Sequence, residues 1–78
     1  MAKNQTEFEA KCYARFSQNL KQLREQKGMT QWQVAQILGV DRSSYSYYEL
    51  GRHVPPVKKF IAIALLFGVS ADWLLFHE

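Results

Sequence analysis

Glycine and proline occur in this chain only at points where a helical pattern of residues starts or stops. These residues are Gly28, Gly39, Gly51, Pro55, Pro56 and Gly68. Three of the glycines follow a helical stretch directly or after one residue, which is where a left-handed residue closes a helix. Strand-like alternation of useful length is absent, and the double proline cannot join a strand ladder. The pattern therefore predicts an all-α domain of five helices.

The length of 78 residues limits the chain to one small domain, so residues 1–78 are treated as a single unit. A hydrophobic content of 47% is enough for one core and too high for a disordered tail.

Cys12 is the single cysteine, which excludes an internal disulfide and fits the reducing cytoplasm. No signal sequence is visible at the start. The longest apolar run, 60–69, is about half of the roughly 20 residues that a membrane span needs, so we expect no membrane association.

The charge is divided unevenly along the chain. The formal net charge is +3 and the isoelectric point is about 9.2. Residues 1–60 hold ten basic and five acidic residues, a net of +5, whereas residues 61–78 hold only Asp72 and Glu78, a net of −2. We therefore expect one electropositive end and one apolar, mildly acidic end. On charge alone, a nucleic-acid partner and a chance imbalance are equally good interpretations.

The first predicted helix begins at Thr6, where Thr6 and Glu9 fit a capping box. Apolar residues then recur at three- and four-residue steps along one face of the helix. They are Phe8, Cys12, Phe16, Leu20 and Leu23. Gly28 closes this helix. The residues before 14 either lengthen the helix or, over residues 1–5, form a loose arm, and the sequence leaves both open.

Four further helices are expected, each with a start signal at its N-terminus. The start residues are Thr30, Asp41, Pro56 and Ser70. The helix after Thr30 is the clearest, because Gln33 completes a second capping box, and it runs to Leu38. The third helix runs to about Leu50, the fourth ends before Gly68, and the fifth runs to the terminus.

The second and third helices, with the glycine turn between them, form a helix-turn-helix unit over residues 31–50. Its core-facing positions carry Val34, Leu38, Val40, Tyr45 and Tyr48. Ala35 falls where the two helices cross most closely and only a small side chain fits. Gly39 falls in the turn, where a positive φ is required.

This unit and its flanks resemble the Cro/C1-type (lambda-repressor-like, XRE family) helix-turn-helix regulators of bacteria and phages. The resemblance covers residues 14–76 and rests on several stretches in order. They are residues 20–31, 34–35, 38–40, 48–52 and 68–75. The fold that the resemblance implies is a compact five-helix DNA-binding domain.

The resemblance also implies that the third helix is a recognition helix that enters the major groove of double-stranded DNA. Its outward residues, the expected base contacts, are Arg42, Ser43, Ser46 and Tyr47. Arg42 is the leading candidate because a guanidinium can donate two hydrogen bonds to guanine, and the alternative is a phosphate contact. The expected phosphate contacts are Gln31, Arg52 and His53. For His53 an ordinary solvated loop histidine is an equally good interpretation.

In the resembling family, the positions of Arg24 and Glu49 form a largely buried ion pair. It ties the first helix to the end of the recognition helix, and we expect a bidentate contact with a structural role. Two positions depart from the family, since Tyr47 stands where Arg or Lys is frequent and Leu50 stands where a polar residue is usual. Trp32, on the outer face of the second helix, is expected to pack on the first helix, with a position over the sugar–phosphate backbone as the alternative.

An apolar surface is expected on the fourth and fifth helices. The predicted core face of the fourth helix is Val57, Phe60, Ile61, Ala64 and Phe67. The predicted partner surface is Ala62, Leu65, Leu66, Trp73 and Phe76. A homodimer is the natural partner, because regulators of this kind bind two half-sites about 34 Å apart with two-fold symmetry. The alternative is that the long first helix folds back over this surface.

The sequence contains no recognisable catalytic, metal-binding, cofactor-binding or small-molecule site. Cys12 lies on the core stripe, and His53 and His77 lack partners at metal-ligand spacing. We therefore expect a non-enzymatic, cytoplasmic, bacterial or phage regulator that binds specific DNA sequences, acting as a repressor. The alternatives are the antitoxin of a toxin–antitoxin pair and a protein-interaction module that does not bind DNA.

Overall fold

A computed structural model describes residues 2–78, with side chains described from Thr6 onward. The described chain forms α-helices and no strands, which confirms the all-α prediction. The helices are α1 (Ala2–Gln26), α2 (Gln31–Leu38), α3 (Arg42–Leu50), α4 (Val57–Phe67) and α5 (Ala71–Phe76). The bounds from α2 to α4 follow the predicted pattern, and α5 ends two residues before the terminus.

The predicted start of the first helix at Thr6 is wrong, because α1 begins at Ala2 and Thr6 lies within it. The residues before Thr6 contain neither glycine nor proline, and Ala2, Lys3 and Gln5 all favour a helix, so no signal stops it there. Of the two conformations left open for residues 1–5, residues 2–5 adopt the helical one, while residue 1 lies outside the described residues. The first helix is therefore 25 residues long.

The capping box at the start of α2 is confirmed. The Thr30 hydroxyl accepts a hydrogen bond from the Gln33 backbone N–H at 3.1 Å, and the Gln33 side chain accepts one from the Thr30 N–H at 2.9 Å. At the other end, Gly39 has φ +73°, and its N–H donates to the carbonyls of Ala35 and Gln36. Since a left-handed residue without a Cβ carries no steric penalty, this glycine ends α2 and turns the chain toward α3.

The core is formed by one buried face from each helix. The fully covered side chains are Leu20, Val34, Tyr45, Ile63 and Leu74. The polar residue Asn19 is buried with them, and its amide donates to the carbonyls of Trp73, Leu74 and His77 at 3.3, 3.0 and 3.0 Å. These carbonyls lie at the C-terminal end of α5, where helix carbonyls lack partners within the helix. Asn19 thereby fixes α5 against α1.

The predicted core face of α4 is partly wrong. Val57 and Ile61 were expected in the core, but their side chains are 74% and 51% exposed. Ile63 is fully buried instead, and Phe67 is buried as predicted. Phe60 and Ala64, also predicted for the core, are half-buried against it. The helix is therefore rotated relative to the predicted orientation.

The rotation has a physical cause in the composition of α4. Only Lys58 and Lys59 are polar in this helix, so its hydrophobic pattern does not specify a buried side. Contacts with other helices decide the matter. The Lys59 ammonium donates to the Leu38 carbonyl at 2.6 Å, and the Phe60 ring lies 5.4 Å from the Phe16 ring.

Candidate nucleic-acid interface

Three contacts hold α2 and α3 in the helix-turn-helix arrangement. Ala35, predicted to lie where the two helices cross, is buried at 2% exposure. The Val40 N–H continues the turn by donating to the Ala35 carbonyl at 3.0 Å. The bond from Lys59 to the Leu38 carbonyl then fixes the end of α2 to α4. The C-terminal end of α2 and the turn that follows it are therefore fixed to the scaffold.

The predicted base-contact residues lie together on the outward face of α3. Arg42, Ser43 and Tyr47 are exposed, and Ser46 is half-buried. Within residues 6–78, no side chain forms an ion pair with Arg42. The guanidinium at the N-terminal end of α3 is thus available to an outside acceptor.

Asp41 precedes this helix, but its carboxylate does not cap the backbone as predicted. It accepts hydrogen bonds from the hydroxyls of Ser44 at 2.6 Å and Ser43 at 3.1 Å. These two bonds lower the pKa of Asp41 below its ordinary value. An anion therefore stands beside the Arg42 cation at the leading end of α3.

Tyr47, Arg52 and His53 form a small cluster at the other end of α3. The Tyr47 and His53 rings meet edge to face with centroids 5.0 Å apart. The Arg52 guanidinium carbon lies 6.0 Å from the centroid of the Tyr47 ring, within cation–π range. A predicted base contact and two predicted phosphate contacts therefore occupy one continuous surface.

Arg24 and Glu49 form a bidentate ion pair. The Arg24 Nε lies 2.6 Å from Glu49 Oε2, and Nη2 lies 3.1 Å from Oε1. The remaining Arg24 nitrogen donates to the Met29 carbonyl at 2.8 Å. The side chains are 13% and 3% exposed, so water has little access to the pair. The pair joins α1 to the C-terminal half of α3.

Two further side chains donate to Glu49, and neither was predicted to contact this carboxylate. The Tyr45 hydroxyl lies 2.5 Å from Oε2, and the Gln31 amide nitrogen lies 3.0 Å from Oε1. We call Arg24, Gln31, Tyr45 and Glu49 the Glu49 cluster. Tyr45 lies one turn before Glu49 on α3, whereas Arg24 on α1 and Gln31 at the start of α2 reach the carboxylate only once the helices are packed.

Electrostatics within the Glu49 cluster favour its charged form. Burial alone raises the pKa of Glu49, but hydrogen bonds from Arg24, Tyr45 and Gln31 outweigh it and hold the pKa below its ordinary value. The hydrogen bond with Glu49 raises the pKa of Arg24. Burial, and then the bond to Glu49, raise the pKa of the Tyr45 hydroxyl. Glu49 is therefore ionised at neutral pH and accepts all four hydrogen bonds as a carboxylate.

Trp32 does not pack on α1 as expected, since its side chain is 58% exposed. At 100° per residue it lies about 200° around α2 from Val34, which faces the core. A shallow cavity of about 260 Å³ lies beside it and extends to Arg42. The walls of this cavity also include Ala35, Gln36, Val40 and Asp41.

The predicted partner surface needs correction because of the rotation of α4. Ala62 and Leu66 are half-buried against the core instead of pointing outward. Trp73 is half-buried, and its ring stacks on the His77 ring with the two centroids 4.2 Å apart. Leu65, in contrast, is 77% exposed, as the prediction required.

The exposed apolar side of α4 is a row of residues four apart, Val57, Ile61 and Leu65, which we call the α4 row. Their side chains are 74%, 51% and 77% exposed. The long first helix covers a different part of the predicted surface, because the Phe8 ring lies 6.1 Å from the ring of Phe76, which remains 50% exposed. The α4 row is left uncovered.

The profile of the family described as "Helix-turn-helix domain" matches residues 17–76, which is most of the chain and includes α2 to α5 in full. The chain belongs to the Cro/C1-type helix-turn-helix family. This confirms the resemblance inferred from the sequence. The match begins fifteen residues after the start of α1, at residue 17, so the first turns of that helix are additional to the family domain.

Named relatives of this Cro/C1-type domain are regulators. It is 47% identical over 63 residues to the uncharacterized HTH-type transcriptional regulator YqaE of Bacillus subtilis, covering 81% of this chain and 54% of the relative. It is 38% identical over 63 residues to the HTH-type transcriptional activator BcrR of Enterococcus faecalis, covering 81% of this chain and 31% of the relative. The chain thus spans about half of YqaE and a smaller part of BcrR.

A solved structure has the same fold. The crystal structure of the hypothetical transcription factor NHTF from Neisseria matches with a TM-score of 0.75 and 29% identity, covering 83% of this chain and 75% of NHTF. Family and relatives together point to DNA-binding transcription regulation.

Two other features are absent from the described residues. No helix within residues 2–78 is long and apolar enough to cross a membrane. Among the side chains described from Thr6 onward, no three histidine, cysteine, aspartate or glutamate residues lie close enough to hold a metal ion.

Proposed function

We propose that this chain binds a specific sequence of double-stranded DNA through the major groove and represses transcription there. The observation that carries the proposal is the exposed Arg42 guanidinium at the N-terminal end of α3, where no described side chain pairs with it. Arginine at this end of a recognition helix can donate two hydrogen bonds to guanine O6 and N7. The rigid attachment of α3 through the Glu49 cluster supports this, because readout of a base needs a fixed approach.

The neighbouring residues of α3 complete the proposed base-reading surface. Ser43 and Ser46 offer hydroxyls, and Tyr47 offers a ring that can contact a thymine methyl and a hydroxyl that can bond to a base edge. The bond from Ser43 to Asp41 limits the directions in which its hydroxyl can donate. Arg42 is therefore assigned the main contact, and the serines and Tyr47 supporting ones.

Phosphate contacts are assigned to both sides of the recognition helix. Gln31 lies in the first turn of α2, and although one amide hydrogen bonds to Glu49, a carboxamide has a second one to donate. Arg52 and His53 lie beyond the other end of α3, exposed beside Tyr47. Contacts on both sides of the groove would set the register of α3 on the duplex.

Measurement of sequence specificity tests this proposal. DNA bound by the chain is selected from a random pool, and affinities are compared for the selected operator and for random duplex. Arg42→Ala should cost about 1–3 kcal/mol on the operator, confined to one base position, and little on random DNA. Lys11→Ala, which removes an exposed cation from α1, is the matched control and should leave both affinities unchanged. An equal loss on every sequence would move Arg42 to the phosphate contacts.

A salt titration separates this function from a protein-interaction module. Specific affinity should fall steeply between about 50 and 200 mM salt, because each neutralised phosphate releases counterions. A chain that shows no such DNA binding would favour the protein-interaction module. The antitoxin alternative also binds DNA, and co-purification with a small toxin-like protein would favour it.

Repression is the proposed direction of control. A protein seated on an operator that overlaps a promoter excludes RNA polymerase sterically, and this requires only the DNA-binding surface described above. Since BcrR is named an activator, family membership alone does not set the direction. A reporter gene placed behind the selected operator should lose expression when the chain is produced, and a rise in expression would overturn this part of the proposal.

We also propose that the chain binds DNA as a homodimer through the α4 row. The exposed loop residue Val54 follows directly after His53, so an apolar stretch begins where the proposed DNA surface ends. A second copy is the occupant that fits this position, because a two-fold operator places two domains side by side along the groove. Burial of Val57, Ile61 and Leu65 against the same residues of a partner would remove their apolar surfaces from water.

A further inference from the structure

The exposure of Trp32 is not explained by the fold. Tryptophan is highly buried on average, because its large apolar surface is costly to leave in water. Here 58% of the residue is exposed, on a helix whose opposite side is buried in the core. No hydrogen bond within residues 6–78 involves its indole N–H, so this donor has no partner among the described side chains and carbonyls.

The position of Trp32 places it beside the proposed DNA-reading end of the domain. It lies in the first turn of α2, directly after Gln31, which is assigned to a phosphate. The cavity of about 260 Å³ that separates it from Arg42 is open and is also bordered by Asp41. The indole thus stands at the edge of the groove-reading surface, between a proposed base contact and a proposed phosphate contact.

We propose that Trp32 is a DNA-positioning residue whose indole lies against the sugar–phosphate backbone next to the groove that α3 enters. This inference rests on the proposed function. A deoxyribose offers an apolar face to the ring, and the adjacent phosphate offers an acceptor to the N–H, a combination that suits an amphipathic side chain. Backbone contacts carry no sequence information, so Trp32 strengthens binding to every duplex and sets the register from which Arg42 reads a base.

Binding measurements give the first test. Trp32→Ala should weaken binding to operator and to random DNA by the same factor, about tenfold, the size of a well-packed aromatic contact. Trp32→Phe keeps the ring and should recover most of the loss. The matched control is Ile37→Ala, because Ile37 is also 58% exposed on α2 but does not line the cavity. The affinity of this variant for operator and for random DNA should be unchanged.

Salt dependence distinguishes a neutral backbone contact from a charged one. The slope of log affinity against log salt should be the same for Trp32→Ala as for the unaltered chain, because the indole displaces no counterion. Arg52→Ala, as a contrast, should reduce the slope by about 0.9. A loss confined to the operator, or a reduced slope for Trp32→Ala, would overturn the assignment.

Fluorescence gives the second test and does not depend on affinity. Trp32 and Trp73 are the only tryptophans, so Trp73→Phe leaves Trp32 as the single reporter. Quenching by acrylamide, which is neutral and is not repelled by DNA, should fall when operator duplex is added. If Trp73→Phe does not fold, the difference between the unaltered chain and Trp32→Phe isolates the same signal.

The outcomes separate this inference from the proposed function. If the operator binds with unchanged affinity for Trp32→Ala and acrylamide quenching of Trp32 does not change, Trp32 is not at the interface and the proposed function stands. If the unaltered chain binds no DNA, both fail. If quenching falls with protein concentration in the absence of DNA, Trp32 lies between copies of the chain and the DNA assignment is overturned.

Discussion

Glu49 accepts hydrogen bonds from a side chain on each of the first three helices. Arg24 reaches it from α1, Gln31 from α2 and Tyr45 from α3 itself. One carboxylate therefore connects the scaffold helix, the helix proposed to hold a phosphate and the proposed recognition helix. A change at this residue should affect both stability and the direction of α3.

Arg24→Ala should lower the free energy of unfolding by about 3–5 kcal/mol, because it leaves a buried carboxylate without its ion-pair partner. The low exposure of both side chains is the reason to expect a value in this range. Urea unfolding at neutral pH measures it. Arg15→Ala, where the arginine donates only to the exposed side chain of Gln18 at 3.3 Å, should change stability by no more than about 0.5 kcal/mol. A loss of less than a third of the expected value for Arg24→Ala would show that the pair is not effectively buried.

The lowered pKa of Glu49 makes stability depend on pH at the acid end. The unfolded chain binds the proton more tightly than the folded chain, so the stabilisation is complete above the ordinary pKa, about 4.3, and is lost as pH falls through the folded value. Thermal melting from pH 6 to pH 2 should record a falling melting temperature. Tyr45→Phe removes one of the hydrogen bonds that lower the pKa of Glu49. This variant should therefore show a smaller fall in melting temperature over the same pH range.

Asp41 provides the control for this pH dependence. Its pKa is also lowered, by the hydroxyls of Ser44 and Ser43, but the carboxylate is exposed. Asp41→Asn should therefore change the pH dependence of the melting temperature less than Tyr45→Phe does. A larger change for Asp41→Asn than for Tyr45→Phe would assign the pH dependence to the N-terminal end of α3. It would contradict the role given to Glu49.

At the scale of the helices, the orientation of α4 depends on a few contacts made by its ends and its core side. Lys59 is half-buried and donates to the last carbonyl of α2, whereas the adjacent Lys58 is exposed. The bond places a cation at the C-terminal end of a helix, where it also complements the helix dipole. It links the turn of the helix-turn-helix unit to the scaffold.

Lys59→Met should destabilise the domain by about 1–2 kcal/mol, because the Leu38 carbonyl loses a charged donor while the apolar part of the side chain is kept. Lys58→Met is the matched control and should have little effect on stability. Chemical unfolding of the two variants side by side makes the comparison. Equal stability for both would mean that the Lys59 bond contributes nothing to holding α2 against α4.

At the scale of the whole molecule, the described chain forms an elongated body. The principal extents are 40, 22 and 19 Å, and the 25-residue α1 accounts for the long axis at about 1.5 Å per residue. All ten basic residues lie within residues 1–60, and the most exposed part of the α4 row, Leu65, lies beyond them. The proposed dimer contact at Leu65 therefore lies apart in sequence from Arg42 and Arg52, the basic residues proposed to contact DNA.

Leu65→Glu should convert the proposed dimer to a monomer, because it places an unpaired charge within the apolar contact formed by the α4 row. Sedimentation at tens of micromolar measures the change, and affinity for a two-half-site operator should fall while affinity for a single half-site is retained. Ile37→Glu adds the same charge at an exposed isoleucine on α2 and should leave the sedimentation unchanged. A monomer in the unaltered chain at this concentration would rule out the dimer.

Sequence reasoning predicted the features that depend on neighbouring residues or on family motifs. The Thr30 capping box and the glycine ends of α2 to α4 are local, since a few successive residues determine them. Arg24 and Glu49 were paired through the family resemblance, and the structure contains that pair. The start of α1 was missed, although a capping motif was present, because a motif does not stop a helix that its preceding residues can continue.

The tertiary structure alone decided which faces are covered. Nothing in the pattern of α4 distinguished Ile61 from Ile63. The packed helix, with Lys59 bonded to the Leu38 carbonyl and Phe60 against Phe16, buries Ile63 and leaves Ile61 exposed. In the same way, Trp32 was expected against α1 and lies open to solvent. The sequence by itself thus determined where helices start and stop, because backbone hydrogen bonding and capping act over a few residues. Tertiary packing determined how each helix is rotated and which side chains remain exposed, because those contacts join residues that are far apart in the chain.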